Sequence, residues 1–330
     1  MQSLQTMPQQ APPAWYAPVS ADLDQVEAIL SETLESPREC VTTLVSHLRH
    51  YRGKRLRPAL LLLTARACGE VNPAHHTLAA VVEMIHTATL VHDDVLDSAT
   101  VRRHVKTINA GWGNQTSILL GDFLFTQAFY LASTVDARAC RLIGAATNRV
   151  CEGELQQGVE RGNLELTEDE YLDMIDGKTA ELTSCCCRLG ALYCGMENDV
   201  VEGLARYGRL LGIAFQIADD VLDLVGDEQR TGKSLGTDVE QQKLTLPLIH
   251  LLQNGSAGLG TLLRQILQSP GNHKREQLKP HLTQSDALTY ANRRAEEFAS
   301  GARAELNCLS PSHFRDLLEE LTHSVVHRNA

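Results

Sequence analysis

Residues 83–97 read EMIHTATLVHDDVLD and residues 215–224 read FQIADDVLDL, so the pattern D-D-x-x-D occurs twice in the chain. Each copy is embedded in apolar residues that recur at three- and four-residue intervals, the period of a helix with a buried face. At 100° per residue, Asp93 and Asp97 lie about 40° apart on one helical face, with Asp94 turned away from them. Asp219 and Asp223 stand in the same relation, Asp220 corresponds to Asp94, and Gln216 lies one turn earlier, near the azimuth of Asp220 and Asp223. The outer pair of each copy can share a cation. Unpaired carboxylates in apolar surroundings are costly, so something must neutralise them. All-oxygen ligand sets favour hard cations, and Mg²⁺ in particular combines one or two carboxylates with substrate phosphates. A single copy is compatible with a solvated helix face of coincidental spacing; two copies in basic company are far harder to explain that way.

The helical pattern runs well beyond these motifs. No proline occurs from Ala74 to Leu246, and apolar residues keep the same spacing through this section. Start signals stand at Ser36-Pro37-Arg38-Glu39, at Asn72-Pro73 and at Thr167-Glu168-Asp169-Glu170. Turn clusters fall at 111–114, 161–163, 226–236 and 254–260, with no composition shift that would mark an interdomain linker. These features predict one large all-α bundle over residues 21–330. Four of the 11 prolines fall in the first 20 residues, which predicts a loose arm over residues 1–20.

The composition removes several classes of function. With 330 residues, 43% hydrophobic and 22% charged, the chain can bury a sizeable core and is neither disordered nor fibrous. A formal net charge of -11 argues against a nucleic-acid partner, which calls for a basic face. The first 20 residues resemble neither a signal nor a transit peptide, and no stretch reaches about 18 uninterrupted apolar residues, so a cytoplasmic location is expected. The nine cysteines contain no C-x-x-C pair, and Cys185, Cys186 and Cys187 are adjacent; all nine are expected to be reduced, with no zinc site.

Cations gather around the carboxylates despite the acidic balance. Lys54, Arg55 and Arg57 cluster in GKRLRP, and Arg102-Arg103 follows the first motif. Arginine forks suit phosphate oxygens. His86 precedes Asp93 by seven residues and Asp97 by eleven, which puts all three on one face and makes it a candidate phosphate donor.

In order, GKRLRP, EMIHTATLVHDDVLD, RR followed by TINAGWG, GDFLF, EGELQQ, GKTAEL, FQIADDVLDL, TGKSLGTD and KLTLP resemble the trans-type polyprenyl diphosphate synthases, from about Gly53 to Leu248. Within that family the likeness is to long-chain, octaprenyl- or solanesyl-type members. The resemblance implies an isoprenoid-synthase helical bundle around a central active-site cavity. It implies Mg²⁺ on Asp93 and Asp97 from one side and on Asp219 and Asp223 from the other, with Asp94 and Asp220 assisting. It places Arg102, Lys178, Thr179, Gln216 and Lys233 at the allylic diphosphate, with Lys178 among the catalytic groups. Lys54, Arg57, His86 and Arg103 fall to the isopentenyl diphosphate pocket, and Lys243 reaches diphosphate as well. The family usually reads R-R-G-x-P-T after the first motif, whereas Arg103 is followed here by His104, Val105, Lys106 and Thr107, so the path of that loop is left open.

The implied reaction is a head-to-tail condensation through ionisation of the allylic diphosphate, which needs preorganised charge and exclusion of water but no protein nucleophile. The glycine-rich segment 226–236 is a natural lid that would carry Lys233 in. Short-chain members place an aromatic residue four or five positions before the first motif aspartate. Thr89 and Ala88 stand there and are small, so a product of about C30 to C50 is expected, each isoprene unit adding roughly one helical turn, about 5 Å. A short-chain synthase and a subunit of a heteromeric synthase are the alternatives. A homodimer is implied by the resemblance, as is a product that partitions into membrane. Thr231-Gly232-Lys233-Ser234 fails as a P-loop because Gly226 stands one residue too far back and no strand precedes it.

Overall fold

The computed structural model describes residues 15–51, 53, 55–226, 235–271 and 273–327. Lys54, Lys233 and most of the expected lid lie outside the described residues. The described chain is overwhelmingly helical. Its first two-thirds contain α1 (Ser20–Thr33), α2 (Glu39–Leu48), α3 (Leu56–Cys68), α4 (Pro73–Leu96), α5 (Ile108–Trp112), α6 (Asn114–Val135), α7 (Ala137–Val159), α8 (Glu168–Ile175), α9 (Glu181–Leu192) and α10 (Asn198–Val225). Further helices follow to Val326, the longest of them Ala287–Glu305.

Helix α3 shows why the bundle closes around its middle. Leu60, Leu61, Leu62 and Leu63 are consecutive and fully buried. At 100° per residue four successive leucines point all round the axis, so α3 has to be enclosed on every side. They belong to a core with Leu78 to Val82 of α4, Cys185 to Cys187 of α9 and Tyr207 of α10. The three cysteines act there as small apolar side chains, and all nine cysteines are free thiols. Helix α10 joins this core to a second one: Leu204, Tyr207 and Leu211 face the first, Ile213, Ile217 and Leu224 the second.

The three start signals fare differently. Asn72 caps α4 reciprocally with His75, and Thr167 caps α8 with Glu170. At α2 the capping residue is Arg38 without a side-chain bond, and Ser36 instead accepts from Arg38 N at 3.2 Å. Residues 1–14 of the expected arm lie outside the described residues, and residues 15–20 are not loose. Trp15 and Val19 are buried in the main core, and α1 begins at Ser20, because an indole and a valine have apolar area to bury whatever prolines flank them.

The loop after the first motif is a two-residue β-hairpin pairing Val101 with Lys106 and Arg102 with Val105. Arg103 and His104, where the family usually has its glycine nearby, take φ of 51° and 65°. Such a tight turn needs the left-handed region at both central residues, which side-chain-bearing residues enter at a cost. The hairpin is tied down by Arg102 Nε on Asp94 Oδ1 at 2.8 Å and by the Arg103 guanidinium on Tyr51 O.

Candidate active site

Helix α4 ends at its aspartates, so Asp97 caps a helix end that is open to neighbouring loops. Its Oδ1 accepts from Lys243 Nζ at 3.0 Å and from Arg161 Nη2 at 3.3 Å. Lys243 is only 8% exposed, so a buried ammonium has its partner on the first motif. One turn earlier, burial pushes the Asp93 carboxyl up to about 6 against the opposing charge of Lys178, with Glu154 and Asp97 adding to the rise. Burial depresses the Lys178 ammonium, but Asp93 and Glu154 outweigh it and its pKa is raised. Lys178 Nζ lies 2.5 Å from Glu154 Oε2 and donates to Gln157 Oε1 at 2.8 Å.

The second motif lies on α10. Gln216 Nε2 donates to Asp220 Oδ1 at 2.7 Å and its Oε1 accepts from Thr179 at 2.8 Å. Tyr171 donates to Asp220 Oδ2 at 2.6 Å. Burial, reinforced by Asp238, holds the Asp220 carboxyl well above the carboxylate range. Asp223 accepts from Thr237 Oγ1 at 3.3 Å and from Asp238 N at 3.2 Å. A space of about 400 Å³ is lined by Gln157, Tyr171, Lys178, Gln216, Asp220 and Lys243, among others. Asp220 is the one motif aspartate on its wall, and two of its lining lysines engage the first motif, Lys243 by direct contact with Asp97 and Lys178 through its charge on Asp93. A larger space, about 670 Å³, lies on the other side of α4, against Met84, Thr87 and Leu90. Arg103 lines it but none of the motif aspartates does, whereas the smaller cavity brings Asp220 together with Lys178 and Lys243.

The remaining basic residues form a second cluster. Arg57 Nη1 donates to His86 Nε2 at 3.1 Å. Guanidinium has no acceptor, so His86 must offer a lone pair at Nε2 and carry its proton on Nδ1. Burial, and then the charges of Arg57 and Arg103, keep the His86 imidazole neutral. Arg57 Nε is buried without a hydrogen-bond partner, which leaves a donor available for an anion. The charge of Asp219 reaches Arg57, which connects this cluster to the second motif.

Several expected residues have other commitments. Asp94 is fully buried, with Oδ1 on Arg102 and Oδ2 on Tyr51, so both oxygens are engaged by protein rather than offered to a metal. Arg102 is its ion-pair partner and Arg103 holds the Tyr51 carbonyl. Ala88 is fully buried in the apolar cluster of Val45, Leu48, Tyr51, Leu120 and Leu124, while Thr89 is half-buried on the side of Asp93. Sequence reading gave no role to Glu154 and Gln157, although both stand in the EGELQQ motif, nor to Tyr171, Tyr51 and Arg161. Glu154 and Gln157 sit three apart on α7, a spacing that could have marked them; nothing in the sequence distinguishes Arg161 from an ordinary turn residue.

Among the described residues, no three acidic, histidine or cysteine groups converge to hold a metal by themselves. The donors are nonetheless all oxygen and partly desolvated, which suits a hard cation that completes its shell with ligand phosphates.

A sequence profile described as polyprenyl synthetase matches residues 38–284. The octaprenyl diphosphate synthase of Escherichia coli (strain K12) is 36% identical over 310 residues, covering 93% of this chain and 96% of that protein. An all-trans-nonaprenyl-diphosphate synthase of Rhodobacter capsulatus is 38% identical over 314 residues, covering 94% and 96%. Among solved structures, a polyprenyl synthase from Caulobacter crescentus CB15, complexed with calcium and isoprenyl diphosphate, superposes with a TM-score of 0.92 at 33% identity, covering 98% of this chain and all of that one.

Proposed function

The chain belongs to the polyprenyl synthetase family and is a prenyltransferase that makes long-chain polyprenyl diphosphates; from that premise we propose that it extends an allylic diphosphate such as farnesyl diphosphate with isopentenyl diphosphate, using Mg²⁺, to about C30 to C50. The observation that carries the site reading is the pair of lysines, Lys178 and Lys243, set between two acidic helix faces at one cavity. Carboxylates and ammonium groups interleaved in this way accept a diphosphate together with its cations.

Asp93, Asp97, Asp219 and Asp223 would hold the metal, and Mg²⁺, when bound, would supply positive charge to offset the negative charge of the departing diphosphate. Lys178, Thr179, Gln216 and Lys243 orient the allylic diphosphate and stabilise the charge that develops as its C–O bond breaks and the electron pair leaves with oxygen. Arg57, through its unpartnered Nε, and neutral His86, through its Nδ1–H, orient isopentenyl diphosphate. Its double bond attacks the allylic carbon, a C–C bond forms, and a proton passes from the adjacent carbon to the released diphosphate as the C–H electron pair forms the new double bond. Asp94 and Arg102 act by fixing the hairpin that carries Arg103. Calcium in the Caulobacter structure supports a divalent cation at such a site.

We further propose that the protein is a cytoplasmic homodimer whose product partitions into membrane. Ile118, Leu119 and Tyr130 of α6 and Leu155 and Val159 of α7 are large apolar residues left exposed on adjacent helices, a surface suited to a second copy of the chain.

The test is incubation of the purified chain alone with farnesyl diphosphate, isopentenyl diphosphate and Mg²⁺, followed by chromatography of the products. Chains of about C30 to C50 are expected. Products of about C15 to C20 would favour the short-chain alternative, and no condensation without a partner would favour the subunit reading.

A further inference from the structure

Helices α8 and α9 are one helix interrupted. Between them the backbone widens into a π-helical turn, Asp176–Ala180, which contains Lys178 and Thr179. Such a turn holds one residue more than an α-helix would, so it rotates the succeeding residues by about 100° and is seldom found without a functional reason.

The turn is held from both sides. On α10, Arg209 donates through Nε and Nη2 to Asp176 Oδ1 and Oδ2, each at 2.5 Å. On the same face, a Cβ at Gly212 would lie 2.5 Å from Ala180 Cα, and Gln216 accepts from Thr179 at 2.8 Å. On α7, Arg149 Nη2 lies 3.8 Å from Asp176 Oδ2, a Cβ at Gly153 would lie 2.4 Å from Lys178 N, and Glu154 and Gln157 hold the Lys178 ammonium. Asp176 is 4% exposed and does not line the cavity. A buried carboxylate between two arginines therefore has a partner set of its own, which the reaction does not use.

We propose that Asp176, gripped by Arg209 and Arg149, is a positioning residue that locks this π-turn in the register that turns Lys178 into the diphosphate cavity and Thr179 onto Gln216 in its wall. The inference rests on the proposed function and specifies which substrate it serves. Lys178 and Thr179 belong to the allylic side, whereas Arg57, His86 and Arg103 lie on α3, α4 and the hairpin, away from the turn. Loosening the turn therefore weakens handling of the allylic diphosphate and leaves isopentenyl diphosphate alone. An amide in place of Asp176 offers one acceptor where Arg209 needs two, so Asp176→Asn breaks the fork at constant volume.

The experiment measures steady-state constants for both substrates in wild type, Asp176→Asn and Arg209→Met, with thermal unfolding in parallel. Displacement of a positioning group by about 1 Å can cost on the order of 10²-fold. Asp176→Asn is accordingly expected to raise the allylic KM or lower kcat by roughly tenfold to a hundredfold, with the isopentenyl KM within about twofold. Arg209→Met, a substitution at a half-exposed side chain, is expected to give the same pattern more weakly and Arg209→Lys to recover part of it, which keeps the test decisive should the asparagine variant not fold. Wild-type constants in folded variants overturn the clamp, and so does a parallel rise in both KM values. Wild type that fails to condense the substrates defeats the functional reading instead.

Discussion

Replacing Gly153 with alanine sets a methyl group against the main chain of the π-turn. The added carbon would lie 2.4 Å from Lys178 N and 3.0 Å from both Lys178 Cα and Gly177 C. Non-bonded contacts of this kind settle at about 3.5–4.0 Å, so α7 and the turn must separate by about 1 Å. All three obstructing atoms are backbone, and no side chain can swing aside to absorb the strain. Overpacking of this sort costs about 1–3 kcal/mol of stability. A shift of about 1 Å in a substrate-positioning group can cost about 10²-fold in rate. A 10²-fold loss is about 2.7 kcal/mol of barrier, comparable to the stability cost, so turnover should collapse while the variant still folds. Gly158, five residues further along α7, has nothing within 4 Å of its added carbon, so Gly158→Ala is the control. It should leave the kinetics unchanged and, by stiffening the helix, stabilise by about 0.5–1 kcal/mol. Condensation of farnesyl and isopentenyl diphosphates, assayed beside thermal unfolding, separates the two effects. A folded Gly153→Ala enzyme with kcat within about threefold of wild type would refute the close-packing argument and the rate estimate built on it.

Ala88→Phe should shorten the product, because a ring on α4 intrudes into a cluster already closed by Leu120 and Leu124; an unchanged chain-length distribution by chromatography would count against this helix as the gauge. Burial, against the opposing Lys178 charge, holds Asp93 up to about 6. Its proton is thus bound more tightly in the folded state, so the associated stability is present at low pH and is lost as pH rises through that value. Asp93→Asn should accordingly raise the Tm of the metal-free protein relative to wild type above about pH 7, with the gain vanishing below about pH 4; a pH-independent difference would contradict the burial argument. Lys243→Met removes the buried partner of Asp97 and should lower kcat by roughly 10²-fold with the fold intact, as seen by circular dichroism; near-wild-type turnover would remove Lys243 from the diphosphate site. Charges introduced on the exposed apolar face, as Ile118→Glu with Leu119→Glu, should convert a dimer to monomer in sedimentation velocity; an unchanged sedimentation coefficient would place the partner surface elsewhere.

The departures from the sequence reading share a cause. The positions of α4 and α10 and the facing of Asp93 with Asp97 follow from local periodicity, which a linear string carries. The fate of Asp94 does not: its azimuth is predictable, but that azimuth meets Arg102 and Tyr51 only because a hairpin folds back on α4. The hairpin itself was illegible, since Arg103 and His104 adopt a backbone conformation that their residue types disfavour and that is held by tertiary bonds. Arg161 lies 64 residues from Asp97 and meets it only in space.

The helical class, the two acidic helix faces and the family are legible in the linear chain, because each depends on spacing within one helix or on ordered short motifs. Folding in three dimensions settles that Asp220 lines the cavity, that Lys178 and Lys243 line it too while engaging the first motif, and that the GKTA segment is a π-turn with Asp176 bound to Arg209. Those outcomes depend on packing between distant helices, where backbone contacts near 2.5 Å from a missing Cβ decide the geometry, and no local pattern encodes them.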